Sequence, residues 1–129
     1  MRFGYTILYV EDVKKALAFY GQAFGFATTF LHESGDFGEL NTGTTALAFS
    51  SRALMTTLKK NPQRPTAQAP CFEIAFVTDN VAETLESALH AGGRLIQPPE
   101  DMPWGQTVAY IADPDGFLVE ICTPFTPPA

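Results

Sequence analysis

The spacing of apolar and polar positions repeats itself once along the chain. FGYTILYVEDVKKALAFY (3–20) and CFEIAFVTDNVAETLESAL (71–89) share one plan: an apolar strand, an acidic or amide residue, then an amphipathic helix. Val13, Ala16, Leu17, Tyr20 and Phe24 recur at helical spacing in the first copy, and Val81, Leu85, Ala88 and Leu89 do so in the second. Asp12 and Asn80 stand where a side-chain acceptor would cap the first free N–H groups of each helix, and Gly92–Gly93 supply a stop.

Strand-like runs follow each helix. The first half offers FATTFLHE, FGELNT and TALAFS; the second offers RLIQ, the loop PPEDMPWG, QTVAYIA, the turn DPDG and FLVEICT. Each half reads β-α-β-β-β. The pattern therefore predicts an α+β protein of two βαβββ modules, spanning 1–50 and 71–125, in a single domain over 1–129. Residues 51–70 form a polar, proline-containing connector with a short helix around Ala53–Leu58. Modules of about fifty residues gain stability side by side, sharing one curved sheet.

Composition narrows the function. Eight Lys and Arg against 14 Asp and Glu leave a formal charge of −6, which opposes binding to nucleic acid or an anionic membrane. No apolar run reaches the ~20 residues of a membrane span, and the N-terminus enters a strand pattern directly, without a signal-peptide core. Two cysteines, Cys71 and Cys122, are too few for a disulfide scaffold, so a cytoplasmic protein with reduced thiols is expected. Arg52, Lys59, Lys60 and Arg64 fall in the connector, as a solvated basic stretch.

Strand alternation isolates two carboxylates. In FLVEICT, Phe117, Val119 and Ile121 share one face, and Leu118, Glu120 and Cys122 share the other. In CFEIAFV, Phe72, Ile74 and Phe76 oppose Cys71, Glu73, Ala75 and Val77. The wholly apolar faces should pack on the helix, so Glu73 and Glu120 should look into one concavity. In the first module Phe3, Tyr5, Ile7 and Tyr9 take the equivalent face of the first strand. Matching Gly43 with Gly116 places Leu47 over Glu120, with Thr45 and Phe49 alongside. The expected cleft is aromatic on one side and acidic on the other.

These features resemble the vicinal oxygen chelate superfamily, also called the glyoxalase/bleomycin-resistance/dioxygenase superfamily. The likeness runs from YTILYVEDVKKALAFYGQAFGF, with its FYxxxFGF ending, through PWGQTVAYIADPDGFLVEICTP. It implies paired modules forming a U-shaped mixed sheet around a cavity, and a homodimer. Metal-dependent members place histidine or glutamate ligands at four strand positions, which here carry Tyr5, Leu47, Glu73 and Glu120. Leu47 cannot ligate, and Tyr5 would have to lose a proton from a pKa near ~10. Neither His32 nor His90 matches a ligand position. Glu73 and Glu120 alone make a poor cage for a first-row transition metal, so no metal cofactor is expected.

Three roles are open to the glutamates. They can act as an acid/base pair in which one pKa rises, as acceptors for a cationic or donor-rich ligand, or as structural residues in which Glu120 bonds Tyr5 or water. Trp104, the single tryptophan, lies in DMPWGQ, where an indole can stack on a planar or cationic ligand. The ligand-contact set is then Tyr5, Tyr9, Leu47, Phe49, Glu73, Trp104 and Glu120, with Phe37 a further candidate at the opening. Carboxylates near Cys71 and Cys122 raise a thiol's pKa, the wrong direction for a nucleophile. The expected function is metal-independent binding of an aromatic small molecule, neutral or cationic, of the drug-resistance type. The alternative is a glyoxalase-type lyase or isomerase, or a dioxygenase, using a divalent ion on Glu73 and Glu120. A lactoylglutathione substrate would need basic partners that these strand faces lack.

Overall fold

The computed structural model describes residues 1–127. They fall into two units, Met1–Arg64 and Pro65 onward, each with its own hydrogen-bonded sheet. The family-style βαβββ order is present in both.

In the first unit β1 (Tyr5–Val10) leads into α1 (Val13–Phe24), then β2 (Thr28–Leu31), β3 (Phe37–Leu40), β4 (Ala46–Ser51) and the short α2 (Arg52–Thr57). The sheet order is β1-β4-β3-β2, with β1 parallel to β4 and the other pairs antiparallel. Asp12 caps α1 by accepting from the Lys15 N–H at 3.1 Å, and Gly25 closes it in the left-handed region at φ 78°. The buried stripe of α1 is Val13, Ala16, Leu17, Phe19, Tyr20 and Ala23. It lies close on the sheet because β3 carries Gly38, where a Cβ would stand 2.8 Å from Leu17 Cδ1. α2 begins at Arg52, one residue before the expected start, because Ser51 caps it, its hydroxyl accepting from the Leu54 N–H at 3.0 Å.

The second unit repeats the order with β5 (Ile74–Val77), α3 (Val81–His90), β6 (Arg94–Asp101), β7 (Thr107–Ala112) and β8 (Leu118–Cys122). Its sheet runs β5-β8-β7-β6, again with one parallel pair, β5 and β8. Asn80 caps α3 twice over: its carbonyl oxygen accepts from the Glu83 N–H at 3.1 Å, and its amide donates to Glu83 Oε2 at 2.9 Å. Val81, Leu85 and Ala88 form the buried stripe, and Gly93 lets the chain leave the helix beside Ala88 and Ile111.

Two boundaries differ from the sequence expectation. β6 continues through Pro98 and Pro99, which the pattern assigns to a loop. The strand lies at the sheet edge, where an absent N–H is tolerated, and its pairing with β7 is irregular between Gln97 and Glu100. β5 starts at Ile74, so Glu73 sits just ahead of the strand rather than inside it.

The β7–β8 hairpin is built by its turn. The Asp113 N–H donates to Phe117 O at 2.9 Å, and Asp113 Oδ1 accepts from the N–H groups of Asp115, Gly116 and Phe117 at 2.9 to 3.0 Å. Gly116 takes φ 109°, and a Cβ there would stand 2.7 Å from Pro65 O. Pro114, Asp115 and Gly116 are thus a three-residue loop, and its length fixes the pairing of the strands it joins.

Candidate functional site

That pairing sets Tyr110 opposite Glu120, Val108 opposite Cys122 and Ala112 opposite Leu118. On the other side of β8, Ala75 pairs with Glu120 and Val77 with Cys122. Directly paired residues share a sheet face, so Tyr110, Glu120, Cys122, Ala75 and Val77 look the same way. Val119, Ile121 and Ile111 alternate to the opposite face and are fully buried with α3.

Glu120 is half-buried and accepts a hydrogen bond from the Tyr110 hydroxyl, which donates to Oε1 at 3.0 Å; the Cys122 thiol is a second, weaker side-chain partner. The bond comes from the adjacent strand of the same unit, where sequence reasoning offered Tyr5 or water. Tyr110 was not among the expected site residues. The charge of Glu120 reaches three neighbours. Tyr110 is pushed up to about 12, chiefly by burial and then by its bond to Glu120 and that carboxylate's charge. Burial first and the Glu120 charge second raise the Glu73 carboxyl. Burial, again followed by Glu120, raises the Cys122 thiol, whose Sγ lies 3.7 Å from Phe76 O. Glu73 makes no hydrogen bond or ion pair among the described residues. The cluster therefore holds two carboxylates with no cation beside them, one phenol held protonated and one thiol held as the thiol.

Trp104 is 57% exposed and occupies the β6–β7 turn. Its Nε1–H donates to Gln106 Oε1 at 2.7 Å, and Gln106 Nε2 donates onward to Thr123 O at 2.8 Å. The indole is tied to the end of β8 through its N–H, which leaves the ring rather than the polar edge available to a ligand.

The first unit corrects two expectations. Leu47 and Phe49 do not share a face with Tyr5, Ile7 and Tyr9. β1 pairs Tyr5 with Ala46, Ile7 with Ala48 and Tyr9 with Ser50, so Leu47 and Phe49 point to the α1 side. Phe49 is fully buried against Tyr20 of α1, ring centroids 5.3 Å apart, and Leu47 is 5% exposed. The equivalent of Glu120 is Ala48, paired with Ile7 as Glu120 is paired with Ala75. The glycine match fails by one residue because β4 begins three positions after Gly43, whereas β8 begins two after Gly116. Thr42 holds the longer loop, donating to Thr45 O at 2.8 Å and accepting from the Leu47 N–H at 3.0 Å. A slip of one residue sends every side chain to the other face.

Tyr5 is exposed on its strand. Tyr9 already has a neighbour: Lys60 Nζ donates to its hydroxyl at 3.4 Å and lies 5.6 Å from its ring centroid. Arg52 donates to Tyr9 O at 3.2 Å and to Glu11 Oε2 at 2.9 Å, and Arg64 reaches the same Glu11 oxygen at 3.4 Å, so part of the basic connector docks on the end of β1. Phe37 is half-buried, with its ring 6.2 Å from Phe30. His32 Nδ1 lies 2.8 Å from Ser34 Oγ within the β2–β3 turn, and His90 is on the exposed side of α3. Among the described residues, no three His, Cys, Asp or Glu side chains converge on one point.

A paired βαβββ chain with a carboxylate on the last strand defines a class before any comparison. The family model of the Glyoxalase/Bleomycin resistance protein/Dioxygenase superfamily matches residues 2–121, and the chain belongs to that superfamily. It is 28% identical over 118 residues to YraH, an uncharacterized protein of Bacillus subtilis (strain 168), covering 88% of this chain and 91% of that one. Among solved structures, a glyoxalase-related enzyme from Fulvimarina pelagi superposes with a TM-score of 0.83 at 24% identity, covering 96% of this chain and 88% of the other. TioX from Micromonospora sp. ML1 gives 0.72 at 20% identity, with 95% and 98% covered. At these identities the structural matches speak for the fold alone.

Proposed function

We propose that this protein binds a small organic cation with an apolar, aromatic body, and that it does so without a metal ion. The observation that carries this reading is the uncompensated pair Glu73 and Glu120. Two carboxylates close enough to feel each other's charge, one on β8 and one exposed just ahead of β5, with no Lys, Arg or His against either among the described residues, favour a ligand that brings positive charge and N–H donors. Trp104, exposed and held by Gln106, supplies a ring face for the aromatic portion or for the cation itself.

The metal-dependent alternative draws on the names of relatives, such as the glyoxalase-related enzyme above. The donor chemistry opposes it. Ala48 and Tyr5 replace ligands in the first unit, the phenol of Tyr110 holds its proton, and two carboxylates without imidazole or thiolate do not fit a tight transition-metal site.

Titration of the purified protein with benzylamine and with benzyl alcohol, followed by Trp104 fluorescence and by chemical-shift change, tests the reading. Binding of the amine but not the alcohol, reduced at least tenfold in Glu120→Gln, is the expected result. Equal binding of amine and alcohol would sink it. So would sub-micromolar, one-per-site uptake of Ni²⁺, Zn²⁺, Mn²⁺, Fe²⁺ or Mg²⁺ that Glu120→Gln abolishes.

A further inference from the structure

Resting on that reading, we infer that Tyr110 sets which kind of cation the site accepts: a primary ammonium in preference to a guanidinium or amidinium. The argument begins with the oxygen count. A carboxylate welcomes a guanidinium best when both oxygens are open, because two parallel N–H···O bonds then form at once. Here Oε1 of Glu120 is occupied by the Tyr110 hydroxyl at 3.0 Å. Apart from the weak S–H donor of Cys122, no other side chain or backbone N–H of the described residues bonds this carboxylate, so a ligand meets one oxygen free of any strong donor rather than two.

The occupation is built in. Tyr110 and Glu120 are direct partners in the β7–β8 ladder, so register delivers the hydroxyl to the carboxylate without a search. On the other side Gln97 is paired with Tyr110, so the phenol stands in a continuous row of cross-strand neighbours. The proton on the phenol is secure at any physiological pH, so the bond is a donation from tyrosine that persists when the ligand arrives. The phenolic oxygen also retains a lone pair. A primary ammonium, with three rotatable N–H donors, can reach Oε2 and that lone pair together, whereas a planar fork needs both carboxylate oxygens. Tyr110 in this role is a specificity residue acting on the ligand through Glu120.

The test compares ligands that differ only in the cation. Benzylamine and benzylguanidine are titrated against the wild-type protein and Tyr110→Phe, and the ratio of the two Kd values is the readout. Wild type should bind benzylamine more tightly. Tyr110→Phe opens Oε1, and the ratio should move toward benzylguanidine by roughly tenfold, the worth of one additional charge-assisted hydrogen bond. A general loosening of the sheet would weaken both ligands and leave the ratio alone. A wild-type preference for benzylguanidine overturns the inference without any variant, as does an unchanged ratio in Tyr110→Phe. If neither cation binds wild type, the proposed function itself falls, which separates the two failures.

Discussion

Tyr110 and Glu120 stand opposite each other across the β7–β8 ladder, ten residues apart in sequence and 3.0 Å apart at their polar ends. The charge of Glu120 reaches Glu73, Tyr110 and Cys122, so this one carboxylate can be replaced and its effect read elsewhere.

Glu120→Gln should lower the pKa of two neighbours by different amounts. Glu73 should titrate closer to its ordinary value but stay above it, because burial is the larger cause of its shift and survives the substitution. Tyr110 should fall below about 12 but stay above 10, because burial, the largest cause of its shift, survives while the bond to an anion and that anion's charge are lost. Carbon-detected NMR titration of the Glu73 carboxyl and ultraviolet titration of the phenols check this. An unmoved Glu73 would show that Glu120 does not reach it.

Tyr110 also makes stability fall at alkaline pH. Its folded pKa is raised, so between about 10 and about 12 the unfolded chain releases a proton that the folded chain keeps, and stability declines as pH rises through that window. The same sign applies to Glu73, whose raised pKa favours the folded state in acid and lowers stability as pH climbs past 4.5. The difference in denaturant midpoint between wild type and Tyr110→Phe should be constant from pH 9 to about 10 and shift against wild type from about 10 to about 12.

Leu47 belongs to the core. Leu47→Ala should cost about 2–5 kcal/mol of stability, the range for a buried leucine truncated to leave a cavity. Ligand affinity, measured where the variant is still folded, should stay within about twofold of wild type. A variant of wild-type stability with lost binding would restore Leu47 to the cleft.

Gly116→Ala should destabilise by about 1–3 kcal/mol, since the new side chain must adopt a positive φ and meet the Pro65 carbonyl. The alanine pushes on the turn that fixes the Tyr110–Glu120 pairing, so chemical unfolding should be accompanied by chemical-shift changes at both residues. Unchanged midpoints would mean that the turn relaxes freely.

Much of this architecture was readable from residue pattern. Both helices, both caps and the strand order follow from periodicity and from Asp12 and Asn80, because those signals are local. The face of Glu120 also follows from alternation within β8, while Glu73, just ahead of β5, is tied to it only through the charge of Glu120. The corrections at Leu47 and Phe49 come from one loop, whose length is decided by hydrogen bonds that no periodicity records. One additional residue after Gly43, held by Thr42, turned Leu47 and Phe49 away from Tyr5. The three-residue loop Pro114, Asp115 and Gly116 sets the register that pairs Tyr110 with Glu120, a pairing that strand alternation alone does not supply. Tyr110 could have been found by counting outward from Asp113 and Phe117, had the side-chain nest around Asp113 been recognised as a three-residue loop.

β6 carries one further consequence. Its outer side is an open sheet edge, the kind of border onto which a strand from another molecule can add. Pro98 and Pro99 remove two amide hydrogens in succession and interrupt the pairing with β7, and Glu100 and Asp101 follow with two negative charges. An incoming strand would find neither a continuous row of donors nor a neutral surface. The same four residues that blur the boundary between strand and loop thereby make this edge a poor template for an added strand.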